Sequence, residues 1–349
     1  MKRFLLATLG LMALSWADPA GAQQVTLRVA SYGGLFTESQ TKYGASVFSK
    51  RTGIKIEWVD GNPEDHLAKL IASRGRAAPF DVVYFEQSNQ IKAIEAGLVL
   101  KIDPKIVTNL EHLYDVAKNS QGYGPAMLFW SVGIAYNAKA LNDNGIPEPT
   151  SWADLWNPKF ERRLALPDIS QGTVTDFITA TAKLMGGDER NADAAFDKIA
   201  QLKPLYFFTS SSDLRNKFLA GDVWITVWNN GRAWGMTDEG FPMKFIYPKE
   251  GGYGKLSTID VVASTKHPRE AQMFVNHILD PLTQLGQANE IPNGPTNKLL
   301  APVLAAYPEL AKKFPASPDD LKKLNQTDVE VINANYPKWV DKWNRTVKK

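Results

Sequence analysis

The sequence predicts an α/β fold of two lobes with a ligand cleft between them. Three observations carry this. Strand-like and helix-like segments alternate as far as Gly97, the alternation restarts after a proline-punctuated break, and the segments that follow the strands are short and rich in Gly, Ser, Thr, Gln and Asn.

The elements follow in order. Val25–Ala30 is β-branched and alternating and reads as a strand, closed by the turn Tyr32-Gly33-Gly34. Phe36–Arg51 has helical spacing, with Tyr43, Val47 and Phe48 on one face and Gly53 at the stop. Ile54–Val59 is a second strand, His66–Arg74 a helix, Phe80–Phe85 a third strand and Asn89–Ala96 a helix. Ala126–Asn137 is a long strand-like run, and Ile146-Pro147-Glu148-Pro149 then breaks the pattern. In the second half, strands are predicted at Leu164–Leu166, Tyr206–Thr209, Trp224–Trp228 and Lys244–Tyr247. Helices are predicted at Thr173–Met185, Ala194–Leu202, Ser212–Ala220, Pro268–Leu279 and Pro281–Asn289, and over most of the chain from Pro318.

Composition narrows the class. Of the 349 residues, 44% are hydrophobic, enough for a sizeable core, and 40 basic residues face 37 acidic ones without a basic run. Nucleic-acid binding is therefore not expected. Lys2 and Arg3, the apolar run Phe4–Trp16 and the small residues Ala20-Gly21-Ala22 form a secretory signal peptide over residues 1–22. Its removal takes the charge from +3 to +2, since Lys2, Arg3 and Asp18 leave with it. The chain has no cysteine, so disulfides, a lipidated cysteine and thiolate chemistry are excluded, and a chain of this size can rely on its core. Export without disulfides points to a bacterial periplasm.

In open parallel sheets, ligands bind beyond the carboxyl ends of the strands. That rule selects six segments: Ser31–Phe36, Glu86–Asn89, Asp168–Thr173, Thr209–Ser212, Asn229–Arg232 and Tyr253–Thr258. Ser31, Tyr32, Gly33 and Gly34 precede a helix, as do Ser170, Gln171 and Thr173, and as does Ser211. Free N–H groups and hydroxyls there suit an anion, although Ser and Thr are also ordinary helix caps. Arg232 and Lys255 could add positive charge, and Glu86 or Asp168 could take an ammonium. Gln87, Asn229 and Ser257 complete the polar set. Trp130 and Trp228 lie beside these loops, with core packing the competing reading for each.

No G-x-S-x-G, H-E-x-x-H or phosphate-binding loop occurs, and none of His66, His112, His267 and His277 falls in a cleft segment. Catalysis is not expected, and no cofactor is called for. Ferric iron needs clustered phenolates or carboxylates, and the chain has no Tyr-Tyr pair.

Several stretches resemble the periplasmic solute-binding proteins of ABC importers, in the branch that binds spermidine and putrescine. They are Thr52-Gly53-Ile54-Lys55, Phe80-Asp81-Val82-Val83, Ser151-Trp152-Ala153-Asp154-Leu155-Trp156, Trp228-Asn229-Asn230-Gly231, Pro248–Gly252 and Pro292-Asn293-Gly294-Pro295-Thr296-Asn297. The resemblance implies a type II periplasmic binding protein fold, with lobe one over 23–135 plus 252–300 and lobe two over 136–251. The helical segment 301–349 would pack on both. Chain crossings would fall near Ile134–Asn137 and Ile246–Gly252. It also implies a monomer that delivers a small solute to a membrane permease and its ATPase.

A polyamine is a flexible polycation and needs carboxylates and aromatic faces in the cleft. The resemblance places acids in the loop matching Asp168–Gly172 and just after Pro248–Gly252. Here one such place holds Gly172, and the other holds Lys255 and Ser257. The expected solute is therefore a zwitterion, or an anion with an amine: an ω-amino acid, an amino acid derivative or an aminophosphonate. Polyamine or thiamine binding is the alternative.

Overall fold

The computed structural model describes residues 24–74 and 76–348, so the signal peptide expected over residues 1–22 lies outside the described residues. Ten strands are joined in one sheet: β1 (Thr26–Ser31), β2 (Lys55–Asp60), β3 (Val82–Glu86), β4 (Ala126–Asn137), β5 (Leu164–Pro167), β6 (Tyr206–Phe208), β7 (Ile225–Asn229), β8 (Met243–Ile246), β9 (Tyr253–Val261) and β10 (Gly294–Pro295). Their order is β2-β1-β3-β9-β4-β7-β5-β6, with β8 and β10 also on β4.

Two parallel blocks stand at the ends, β2-β1-β3 and β7-β5-β6. Between them β9 and β4 run antiparallel to their neighbours. β4 is buried along all twelve residues because it serves both blocks. It pairs with β9 up to Val132 and with β7 from Val132 onward. Burial on both faces explains its largely apolar run, broken only by Ser131 before Asn137 ends it, as expected of a strand covered on both sides.

Most expected elements are present within a residue or two. The long helix is continuous over residues 35–52 but carries a widened, π-helical turn at Gln40–Ala45. The Gly44 carbonyl there accepts a 3.0 Å hydrogen bond from His277 Nε2. His66 likewise donates to the Ser31 carbonyl at 3.1 Å, so both buried histidines are spent on backbone. The expected loop Tyr253–Thr258 is instead the first part of β9. Gly254 and Lys255 lower its strand propensity, and pairing on both sides overrides that.

The quoted motifs hold the framework together. Ser151 and Asp154 form a reciprocal cap. Ser151 Oγ donates to Glu250 at 2.6 Å, and Trp152 Nε1 to the Gly251 carbonyl at 3.0 Å. Asn230 is fully buried, accepts from the Ser131 amide at 2.8 Å, and donates to the Pro292 and Lys313 carbonyls at 2.8 and 3.0 Å. The C-terminal helix Val329–Lys342 spans the two blocks. Asn333 Nδ2 reaches the Ser88 carbonyl at 3.2 Å and Tyr336 Oη the Ile169 carbonyl at 2.9 Å. Among the described residues no helix is long and apolar enough to cross a membrane.

Trp228 is 2% exposed and stacks on Phe218 at 6.2 Å and 17°. Trp228→Ala should cost about 3–5 kcal/mol of unfolding free energy, read by urea denaturation. Asn230→Ala strands one buried N–H and two carbonyls, and the same measurement should show a loss of about 2–4 kcal/mol.

Candidate ligand site

The carboxyl ends of the six parallel strands, three from each block, face one another. Between them lies a cavity of about 380 Å³. Ten of the expected residues line it: Tyr32, Gly33, Gly34, Glu86, Trp130, Thr173, Ser211, Asn229, Arg232 and Ser257.

Strand register makes its floor. Directly opposed residues of antiparallel strands project to the same face. Ser257 lies opposite both Glu86 and Leu128, and Lys255 lies opposite Trp130. Leu128, Trp130, Ser257 and Glu86 therefore share the cleft-facing side. The Tyr32 ring packs on Phe36 and Tyr84, at 4.9 and 6.1 Å between centroids. Three lining residues hold buried polar atoms that no protein group satisfies: Trp130 Nε1, Thr173 Oγ1 and Tyr32 Oη, the last turned toward Ser257 without completing a hydrogen bond. Buried unpartnered donors cost about 1–3 kcal/mol each, so this arrangement calls for a polar guest.

Helix N-termini surround the cavity. The helices Pro63–Ala72, Gly172–Leu184, Ser211–Leu219 and Asn230–Asp238 begin at Asn62, Gln171, Ser210 and Asn229, and each starts at the cavity wall. Gly172–Leu184 has no side-chain cap, which leaves its first amides free to face a ligand, whereas Pro63–Ala72 opens on a proline and an acidic first turn. Arg232 adds a cation. Burial pulls its guanidinium down to about 10, with Asp60 opposing the shift, so it stays charged at neutral pH.

The opposite charge comes from Glu86. Burial raises it to about 8; Lys255 pulls it down, and Glu64 and Asp176 push it up. Glu86 lies against the first turn of Gly172–Leu184, where any Cβ at position 172 would collide with its carboxylate. The carboxylate missing at Gly172 is thus replaced by one from the opposite block, filling the same space. Asp60 and Asp65 add acidic groups nearer the surface.

The two sides touch around the cavity. Gly34, at φ 58° and ψ −144°, adopts a backbone open only to glycine, and a Cβ there would stand 2.6 Å from Ser212 Oγ. Gln171 Nε2 donates to Asn62 Oδ1 at 3.1 Å and to the Thr209 carbonyl at 2.8 Å.

Seven expected residues lie off the cavity wall. Ser31 is buried behind it, with its Oγ 2.8 Å from Thr37 Oγ1. Gln171 is used in the clasp with Asn62. Gln87 is exposed at the start of its helix. Asp168 and Ser170 turn away: Asp168 pairs with Lys348 at 2.5 Å and accepts from Ser170 Oγ at 3.0 Å. Trp228 is core. Lys255 pairs with Asp176 at 3.0 Å in a small side cavity.

The sequence reading missed the segment Asp60–Asp65, together with Leu128, Ile291 and Asn293. The strand-end rule reaches the first, since Asp60-Gly61-Asn62 follows β2 as Tyr32-Gly33-Gly34 follows β1. Asn293 stands beside Gly231, only 2.6 Å from where a Cβ would fall, a contact no local pattern announces.

The comparisons agree with this architecture. The profile of the bacterial extracellular solute-binding proteins matches residues 45–313. The spermidine/putrescine-binding periplasmic protein of Salmonella typhimurium is 28% identical over 84% of this chain and 86% of its own. The gamma-aminobutyric acid-binding protein of Pseudomonas aeruginosa is 26% identical over 97% and 93%. Among solved structures, PBP MotA from A. tumefaciens B6 in complex with glucopine superposes with a TM-score of 0.78 at 20% identity, covering 92% of this chain and 99% of that one. The chain belongs to the bacterial extracellular solute-binding proteins and is the solute-binding protein of an ABC transporter.

Proposed function

We propose that the chain is exported to the periplasm, captures a small zwitterionic amine as a monomer, and hands it to an inner-membrane permease with its ATPase. The expected solutes are ω-amino acids, amino acid derivatives and aminophosphonates. The hinge would run through the crossings near Ile134–Asn137 and Ile246–Gly252, closing lobe 23–135 plus 252–300 on lobe 136–251.

The observation that carries this reading is a cavity with opposite charges at separate places. Arg232 and the uncapped N-terminus of Gly172–Leu184 suit a carboxylate or phosphonate. Glu86 suits an ammonium, and Trp130 and Tyr32 offer faces to an alkyl chain. The gamma-aminobutyric acid-binding relative binds a solute of this kind by its name. A volume of about 380 Å³ also leaves room for an amine joined to a larger polar group. Polyamine binding is the second reading, favoured by the acids Asp60, Asp65 and Glu86.

Calorimetry decides between them. Stoichiometric binding of an ω-amino acid with no heat from spermidine supports the first reading; tight spermidine binding with no response to amino acids overturns it. A ligand at one hundred times its dissociation constant should stabilise the protein by about 2.7 kcal/mol. Arg232→Met should weaken a carboxylate ligand by about ten- to a hundred-fold through loss of a charge-assisted hydrogen bond.

The pH dependence follows from Glu86. Burial raises it from 4.5 to about 8 against the pull of Lys255, so a closure that buries it without a ligand cation takes up a proton. A ligand without an amine should therefore lose affinity as pH rises from 4.5 toward about 8, whereas an ammonium ligand keeps Glu86 ionised and should show a flat profile. Titrations of a ligand and its des-amino analogue across that range check the sign.

A further inference from the structure

The floor of the cleft does not end at the main cavity. Lys255 stands on the same face as Trp130 and Ser257, one pleat beyond Ser257. It opens on a side cavity of about 30 Å³, room for one water, which adjoins the main cavity at Glu86. Gln326, Thr327 and Ile332 from the C-terminal segment close the far side.

One carboxylate pairs with the Lys255 ammonium, and a second, Glu86, shares the side cavity with it beyond ion-pair distance. Asp176 is fully buried, and among the described residues its only partner is that ammonium, at 3.0 Å. Glu86 lies on the other side, toward the main cavity, and feels the same charge. A primary ammonium paired with a buried carboxylate, on the strand face that continues the cavity floor and with Glu86 lining the same side cavity, has the form of a bound amine. Here the amine is part of the protein.

We propose that Lys255 is a specificity-determining residue: its ammonium permanently occupies the place where the second amine of a linear diamine would go, which restricts the site to solutes with one amine. This rests on the main cavity being the solute site, but not on the solute being a zwitterion. The exclusion is both electrostatic and steric. With Lys255 present, a second ammonium would meet a like charge, and a space of about 30 Å³ holds a water but not a further aminoalkyl end. With the side chain shortened, Asp176 and Glu86 would stand uncompensated around an open end of the groove.

The test uses 1,4-diaminobutane and 1,5-diaminopentane as probes on the full mature chain. The wild type should give no binding heat with either at millimolar concentration. Lys255→Met should gain diamine binding, at least about ten-fold above wild type, the equivalent of one charge-assisted contact. Lys255→Arg keeps the cation and should gain none. Lys255→Met with Asp176→Asn should lose the gain again. If Lys255→Met unfolds, a diamine should restore its melting transition as a replacement for the missing amine, with no such effect on wild type.

A folded Lys255→Met protein without diamine binding would overturn the proposal. So would an unfolded one that diamine does not rescue, or a wild type that binds diamines as tightly as the variant. The functional reading fails separately: wild type without affinity for ω-amino acids, alongside a Lys255→Met protein that binds diamines, would sink that reading and leave this one standing.

Discussion

The antiparallel seating of β9 between β3 and β4 is the constraint on which the site depends. It joins the two parallel blocks into one sheet, and its register decides which side chains face the cleft. Strand side chains alternate, so a slip of one residue would turn Lys255 and Ser257 away and present Leu256 and Thr258 instead. Glu86, Trp130 and Leu128 take their neighbours from this one strand. The Asp260 side chain, at the other end of β9, helps hold the register. It is fully buried, and accepts from Gln90 Nε2 at 2.8 Å, from Thr258 Oγ1 at 2.7 Å and from the Gly124 amide at 3.1 Å.

That seating concentrates ionisable groups where water is scarce. Isolated buried charges are costly, and they persist when paired or when they await a partner. Asp176 has its partner in Lys255. Glu86 has only part of one, and burial leaves it at about 8. Arg232 lies across the cavity, with only weak contacts to the Tyr32 and Gly33 carbonyls, at 3.5 and 3.4 Å. Glu86 and Arg232 are held apart rather than joined, and each stays available to a solute that carries the complementary group.

Motif residues and cavity-lining residues overlap only at Asn229 and Asn293. The stretch Ser151–Trp156 and the loop Pro248–Gly252 are one structural unit, joined through Glu250 and Trp152, and contribute nothing to the cavity wall. Within Trp228-Asn229-Asn230-Gly231, Trp228 fills core, Asn230 ties distant carbonyls together, and Asn229 alone lines the cavity. Stretches specific to a branch of the family thus record how the lobes are joined. The solute-facing residues come from short polar loops whose composition alone does not set them apart.

The sequence by itself determined the α/β alternation, the cysteine-free core and the strand-end loops, because hydrophobic periodicity and turn chemistry are local properties. From those loops it also reached Tyr32, Gly34, Glu86, Thr173, Asn229 and Arg232. Only the tertiary structure decided that Glu86 fills the space over Gly172, that Lys255 pairs with Asp176 seventy-nine positions away, and that Asp168 faces Lys348 rather than the cleft. Each of these depends on two segments meeting across the sheet, and strand register and lobe closure, not neighbouring residues, fix such meetings.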